Sequence, residues 1–437
     1  MKNSAHTLPR PTPGAPPIAR PPRPERWTLD NGLRVLSVAS GTLPQTAIRL
    51  ILPAGSVRDP MAFPGTAALT GGLLTEGTLG LNAEELNLRL DTLGASLNVQ
   101  VGHDFTEIDL YLLSETLAAG FELLADVLLH PAFPADELER ARAETLDAFE
   151  ARADEPSNVA DDRVGIEVFG ADHPYARLTT GTPEGVTSIP REALLEFHAT
   201  HYRPFGAVLL IAGDFDPLAL RRLVEERLGG WEGEAPALLT PPTPTRPAAA
   251  GSRIHIPWPD AAQGEIRVAG AGLRRADPEW IPAAVANYLL GGSTITGRLG
   301  SNLREEKGWT YGVRSGFAAA LQPGGWVIET AVDADVVDAA LAEIAIELDR
   351  FLAEPVPHEE LERAKHALIL SLPRAFETPS RVVSRLGTVE AFGLPVDYWE
   401  SYPMQVQAVT ADEVLRIARA RFAPAGLVRI VVGGEAG

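Results

Sequence analysis

Apolar and polar positions alternate along this chain in two distinct periods. Leu86, Leu90 and Leu93 recur at helical spacing behind Asn82, and Glu85 stands three residues after Asn82 as a capping box requires. Gly94 follows as the stop. Leu97, Val99 and Val101 then alternate with polar residues, as do Ile108, Leu110 and Leu112 beyond Gly102–Asp104. That period of two predicts a hairpin with one buried face. Leu117, Phe121, Leu124 and Leu128 form a further helical stripe that stops before Pro131. Later in the chain, Trp326–Val332 and Asp335–Leu352 repeat the order of strand and then long helix.

The pattern is duplicated. His201–Gly213 (HYRPFGAVLLIAG) aligns without gaps on Arg421–Gly433 (RFAPAGLVRIVVG), at an offset of 220. Ala47-Ile48-Arg49-Leu50 matches Glu265-Ile266-Arg267-Val268, and Asp59-Pro60 matches Asp277-Pro278, both at offset 218. Glu137–Ala141 matches Glu360–Ala364 at offset 223. Several matches in order at nearly constant offset imply two copies of one unit. Hairpins with helices returning to one side predict an α+β fold, each half a mostly antiparallel sheet with helices packed on one face.

Proline places the boundaries. Residues 1–26 hold eight prolines and a net charge of +4, the composition of an extended arm. Residues 233–252 are rich in Pro and Ala and predict a linker. The expected halves are therefore 27–232 and 253–437, each of ordinary domain size.

Composition removes several function classes. The 437 residues contain no Cys, which excludes disulfides, thiolate metal sites, iron–sulfur clusters and a cysteine nucleophile. A net charge of −20 argues against nucleic acid as a partner. No apolar run approaches the roughly 18–20 residues of a membrane span, and the start has no signal-peptide core. A cytoplasmic protein is the expectation.

Generic catalytic motifs are absent: there is no GxxxxGK[ST], no GxSxG and no HExxH. Gly291–Gly297 reads as a flexible glycine-rich loop before a helix. His198 and His201 could share a helix face, but no third ligand is spaced to join them, so capping of carbonyls is expected. His173-Pro174-Tyr175 reads as a structural loop, and His103 as an exposed hairpin tip. Arg298–Lys307 predicts a short charged helix stopped by Gly308, with a strand over Thr310–Phe317. On spacing alone, Arg304 is a solvated helix residue and Tyr311 a half-buried strand residue.

The stretch Asn287–Phe317, NYLLGGSTITGRLGSNLREEKGWTYGVRSGF, resembles the insulinase/mitochondrial-processing-peptidase family of zinc proteases. So do Asn31–Val35, Gly65–Thr78, Asp172–Tyr175 and His201–Asp214. The likeness runs from Trp27 to the C-terminus, omitting only the arm and the linker. It implies two homologous α/β halves facing each other as a clamshell. In catalytically complete members an inverted zinc motif, H-x-x-E-H, binds the metal with two His and uses the Glu as general base. Anchored on Gly65 and Gly77-Thr78, the two His positions fall on Ala68 and Gly72, and the Glu position on Gly71. The third ligand position falls near Ala148, with Asp147 and Glu150 one and two residues away. The resemblance therefore implies no zinc bound by this chain.

The family also places an Arg and a Tyr, seven residues apart in the second half, against the substrate carbonyl and the oxyanion that forms from it. Arg304 and Tyr311 match those positions, and Gly291 and Gly292 match the neighbouring substrate loop. A lost metal motif beside a kept Arg/Tyr pair implies the second chain of a two-chain peptidase, with zinc expected in a homologous H-x-x-E-H-bearing partner. Peptide could dock by strand addition, chiefly on that partner. The alternative is a catalytically inactive structural or peptide-binding member, like the family's respiratory-complex core proteins. A self-contained peptidase would need metal ligands that the sequence does not offer.

Overall fold

The computed structural model describes residues 20–41, 43–234 and 251–433. The first nineteen residues of the expected arm and residues 235–250 of the expected linker lie outside the described residues. Strand pairing begins at Glu25, two residues before the expected boundary, because Glu25–Thr28 pairs with the following strand.

The first half forms a six-stranded sheet. Its strands are β1 (Glu25–Thr28), β2 (Arg34–Ala39), β3 (Gln45–Leu52), β4 (Ser96–Val101), β5 (Thr106–Leu113) and β6 (Val208–Gly213). Their order is β1-β2-β6-β3-β5-β4. The second half has β7 (Arg253–Ile256), β8 (Gln263–Ala271), β9 (Val313–Phe317), β10 (Gly325–Asp333) and β11 (Val428–Val432), in the order β7-β11-β8-β10-β9. Each sheet has one parallel pair, β2 with β6 and β7 with β11, among antiparallel neighbours. Without β1, the two orders are the same, so the repeated sequence is a repeated topology. Gly213 and Gly433 close equivalent strands at φ +139° and +137°. A Cβ there would sit 2.1 Å from the Gln45 carbonyl oxygen or 2.8 Å from that of Gln263, which explains glycine in both copies.

Local signals act as expected. Asn82 and Glu85 form the reciprocal capping box of the helix Ala83–Thr92, and Gly94 follows at φ +59°. The helix Leu117–Leu129 buries Phe121, Leu124 and Leu128 against Ile48, Leu50 and Ile108 of the sheet. In the second half Trp326, Phe351 and Phe422 occupy the same role.

Each half's own helices cover one face of its sheet, and a helix of the other half covers the second face. Pro379–Ala391 lays Val382, Val383 and Leu386 on Leu36, Ala47 and Ile51 of the first sheet. Pro156–Phe169 lays Ala160 and Val168 on Ala269, Val428 and Ile430 of the second. This exchange explains the apolar run of β6, whose six residues are all buried. The duplicated arginines join in: Arg49 pairs with Glu107 and Asp109, and Arg267 reaches Asp161 of the crossing helix at 2.6 Å. No helix among the described residues is long and apolar enough to cross a membrane.

Candidate functional site

In the first half the segment of interest is the helix Thr66–Leu73, which starts at Gly65 (φ +104°). Asp59 holds that start: its carboxylate accepts from the Gly65 and Ala67 amides at 2.7 Å each. Burial pushes the Asp59 carboxyl up to about 6, against the opposing pull of those two amides and of Arg177. A raised carboxyl stabilises the fold below its unfolded value of 3.8, and that contribution is lost as pH rises through about 6. The wild type should therefore lose up to about 3 kcal/mol relative to Asp59→Asn between pH 4 and pH 7. Urea denaturation at the two pH values measures this; an unchanged difference would contradict it.

Ala68, Gly72 and Ala148 line one cleft of about 400 Å³, together with Glu76, Arg140 and Glu144. Ala148 lines it, whereas Asp147 and Glu150 do not. Arg140 holds the nearby carboxylates, donating to Glu76 and Glu137 at 2.7 Å and to Glu144 at 2.9 Å. Gly71 faces the opposite way. A Cβ at Gly71 would stand 2.5 Å from Val101 Cγ2 and 3.3 Å from Val99 Cγ1, whereas one at Gly72 would meet nothing within 4 Å.

The second half presents a different segment. The helix Trp280–Asn287 runs into a π-helical turn, Tyr288–Gly292, and the helical turn Arg298–Gly300 runs into a second, Ser301–Glu306. The expected regular helix over Arg298–Lys307 is thus mostly a wider turn, a feature concentrated at functional sites. Gly291 and Gly292 belong to the first π turn, not to a flexible loop. The space for a Cβ at Gly291 is taken by Ser315 Oγ at 2.7 Å, and at Gly300 by the Thr294 carbonyl oxygen at 1.9 Å. These glycines serve close packing.

Two residues unmarked by the sequence fasten these turns. Asn287 donates to the Ser315 carbonyl at 2.9 Å and accepts from Ser315 Oγ and Trp326 Nε1, both at 2.8 Å. Asn302 donates to Glu343 at 2.9 Å and Glu347 at 3.0 Å on the helix Val337–Ala353. An Asn in an apolar helical stripe was the available signal in both cases.

Arg304 sits in the second π turn. Its one ion pair among the described residues is with Glu305 at 3.8 Å, too long for a hydrogen bond. Tyr311 lies before β9, which starts at Val313, and is 96% exposed. This corrects the expectation of a half-buried strand residue: Gly312 intervenes, and the strand's first buried position is Val313. No described residue hydrogen-bonds the Tyr311 hydroxyl. Tyr311 lines a shallow surface cleft with Arg314 and Glu329, and Arg304 is not part of that lining.

The histidines take structural places. His198 Nε2 bonds the Leu128 carbonyl at 2.8 Å. His201 packs on Phe197, with ring centroids 4.6 Å apart, and burial pushes it down to about 4. His173 accepts from the Tyr175 amide at 3.0 Å. His103 is not the exposed tip expected: it packs on Tyr175 and lies 3.2 Å from Ser56 Oγ. The tip is folded under because its neighbour Asp104 bonds both Tyr175 and the Leu321 amide of the other half.

Residues 34–179 match the family model described as insulinase (peptidase family M16), and residues 188–368 match the one described as peptidase M16 inactive domain. The chain belongs to the M16 peptidase family. An uncharacterized zinc protease of Mycobacterium bovis is 27% identical over 415 residues, 94% of this chain and 93% of that protein. A probable mitochondrial-processing peptidase subunit beta of Schizosaccharomyces pombe is 27% identical over 272 residues, 62% of this chain and 59% of that protein. The solved structure of a peptidase M16 inactive domain from Pseudomonas fluorescens superposes with a TM-score of 0.88 at 28% identity, covering 95% of this chain and 98% of that one.

M16 peptidases imply a zinc ion on the helix that here is Thr66–Leu73, and the residues present do not fit one. Ala68, Gly72 and Ala148 have no donor atoms, Val101 fills the space beside Gly71, and Arg140 occupies the adjoining carboxylates. Among the described residues no group of three or more His, Asp or Glu could hold a metal ion.

Proposed function

We propose that this M16 chain is the non-zinc-binding subunit of a heterodimeric zinc metallopeptidase. It closes the peptide chamber of a homologous subunit carrying H-x-x-E-H and supplies Arg304 and Tyr311 to that subunit's substrate. The observation that carries this reading is that neither Arg304 on its fastened turn nor Tyr311 just before β9 spends its donors on a hydrogen bond to a described residue. Asn302 ties the turn of Arg304 to Glu343 and Glu347, and Asn287 ties β9 beyond Tyr311 through Ser315. The guanidinium has only its 3.8 Å contact with Glu305, and the phenol bonds no described residue.

In this reading, Tyr311 Oη–H and the Arg304 guanidinium donate to the carbonyl oxygen of the bond being cut. As that carbon becomes tetrahedral, negative charge grows on the oxygen and both hydrogen bonds strengthen. The π turn holds the backbone of Arg304 in place beforehand, and the start of β9 two residues on sets that of Tyr311, which limits the reorganisation needed when charge develops. Gly292 ends the first π turn, and its missing side chain leaves room for Asn287, 3.1 Å from where a Cβ would stand, so glycine here supports the residue that fastens the turn. A relative named as a peptidase subunit supports the pairing of homologous chains.

Co-purification with an H-x-x-E-H-bearing homologue, with metal analysis of each chain after dialysis, tests the assignment. The expected result is a one-to-one complex with zinc only in the partner. Stoichiometric zinc in this chain alone would overturn it.

A further inference from the structure

The second half contains two guanidinium side chains, those of Arg275 and Arg385, with no ion pair to a carboxylate among the described residues. Arg275 is 6% exposed and lies between the rings of Trp280 and Tyr398, 4.9 Å from each centroid. Its Nη2 donates to Tyr398 Oη at 3.0 Å, while its Nη1 is buried without any partner. Arg385, on the crossing helix Pro379–Ala391, lies 5.1 Å over the ring of Trp399, which packs 4.9 Å from Tyr398. Neither Arg275 nor Arg385 has an ion pair among the described residues. Burial disfavours the charge on Arg385, and the nearby charges of Arg275 and Arg381 disfavour it further.

Tyr402 completes the cluster, its ring 6.1 Å from Tyr398 and 5.6 Å from Trp399. Its hydroxyl bonds nothing among the described residues. Burial pushes it up to about 12, although both guanidinium groups are close enough to pull it back. Arg381 bonds the Arg374 carbonyl at 2.7 Å, and Glu377 is its single carboxylate neighbour, at 3.3 Å. Three arginines, Arg275, Arg381 and Arg385, thus have one glutamate as their ion-pair partner among the described residues, in a chain whose net charge is −20.

Cation–π contacts with two rings offset part of the cost of burying the charge. Removing a guanidinium from water costs more than such contacts return, and an unbonded buried N–H adds to that cost. The aromatic sandwich therefore compensates Arg275 only in part. A buried guanidinium with an unbonded Nη1, a second guanidinium at a more exposed position and an idle phenol are the donors that an oxyanion takes once it displaces the packing over Nη1. We propose that Arg275, Arg385 and Tyr402 form a binding site for an oxyanion, either a phosphoryl group or a carboxylate. The site is separate from the cleft at Ala68 and from Arg304 and Tyr311, so it holds or fails independently of the proposed peptidase role.

Isothermal titration of the full chain with inorganic phosphate, and separately with succinate, at fixed ionic strength in chloride, tests this. At least one of the two anions should bind with a Kd of about 1 mM or tighter. Arg385→Gln, at an exposed position of a helix that keeps its apolar contacts, should weaken that binding at least tenfold, and Tyr402→Phe should weaken it measurably. The tighter anion identifies the source of the group. Absence of binding by both, or unchanged affinity in Arg385→Gln, would overturn the proposal. Near-ultraviolet circular dichroism of each variant separates lost binding from lost folding.

Discussion

Gly71→Glu, the substitution that would restore the family's general base, is expected to destabilise the first half by at least about 4 kcal/mol. The new Cβ would lie 2.5 Å from Val101 Cγ2, and a β-branched neighbour in a strand cannot rotate away. Overpacking of this kind costs about 1–3 kcal/mol, and a carboxylate forced beneath β4 adds a desolvation cost of several more. Urea denaturation measures the loss, and adding Val101→Ala should recover part of it. The adjacent Gly72→Ala should instead be neutral or stabilise by roughly 0.5–1 kcal/mol, since its Cβ meets nothing and helical glycine is costly. Equal effects at 71 and 72 would contradict the contrast between packed and open positions. Only the position matched to the general base is closed by packing, whereas Ala68 and Gly72 line an open cleft, so returning Ala68→His and Gly72→His alone leaves no base and should give no catalytic centre.

Arg304→Ala and Tyr311→Phe are expected to lower kcat of the assembled peptidase by about 10²–10³-fold each, the range measured for loss of one oxyanion donor. Because Tyr311 is almost fully exposed and unbonded, Tyr311→Phe should leave the folding stability within about 0.5 kcal/mol of the wild type. Arg304 has only its long contact with Glu305 to lose. The expected result is thus a large kinetic effect with intact assembly, read from steady-state cleavage beside thermal unfolding. A fall in KM-dependent binding alone, with kcat unchanged, would assign these residues to ground-state binding.

Much of the fold was legible because local signals and duplication agree. The capping box at Asn82, the alternation of β4 and β5 and the paired glycines 213 and 433 each have one physical solution. The exchange of helices between halves was not legible. Pro156–Phe169 carries Ala160, Val164 and Val168 at helical spacing, and nothing local says that this stripe belongs on β8 and β11 of the other half. The π turns escaped as well, since an extra residue in a helical turn leaves the apolar spacing of Leu299 and Leu303 almost unchanged. Tyr311 was misplaced for a related reason: a tyrosine beside a strand pattern fits a half-buried position equally well. At the site, the resemblance singles out positions 68, 71, 72 and 148, and the structure puts 68, 72 and 148 along one cleft. That Gly71 faces Val101 while its neighbour faces a cleft required the packing.

The proposed role has this chain contributing half of an active site to a zinc-bearing partner. Titration of that homologue with this chain, following peptide cleavage, tests it most directly. Negligible cleavage by either chain alone is expected, with a rate that rises to saturation at one equivalent. Cleavage by the homologue alone at the rate of the mixture would contradict that role.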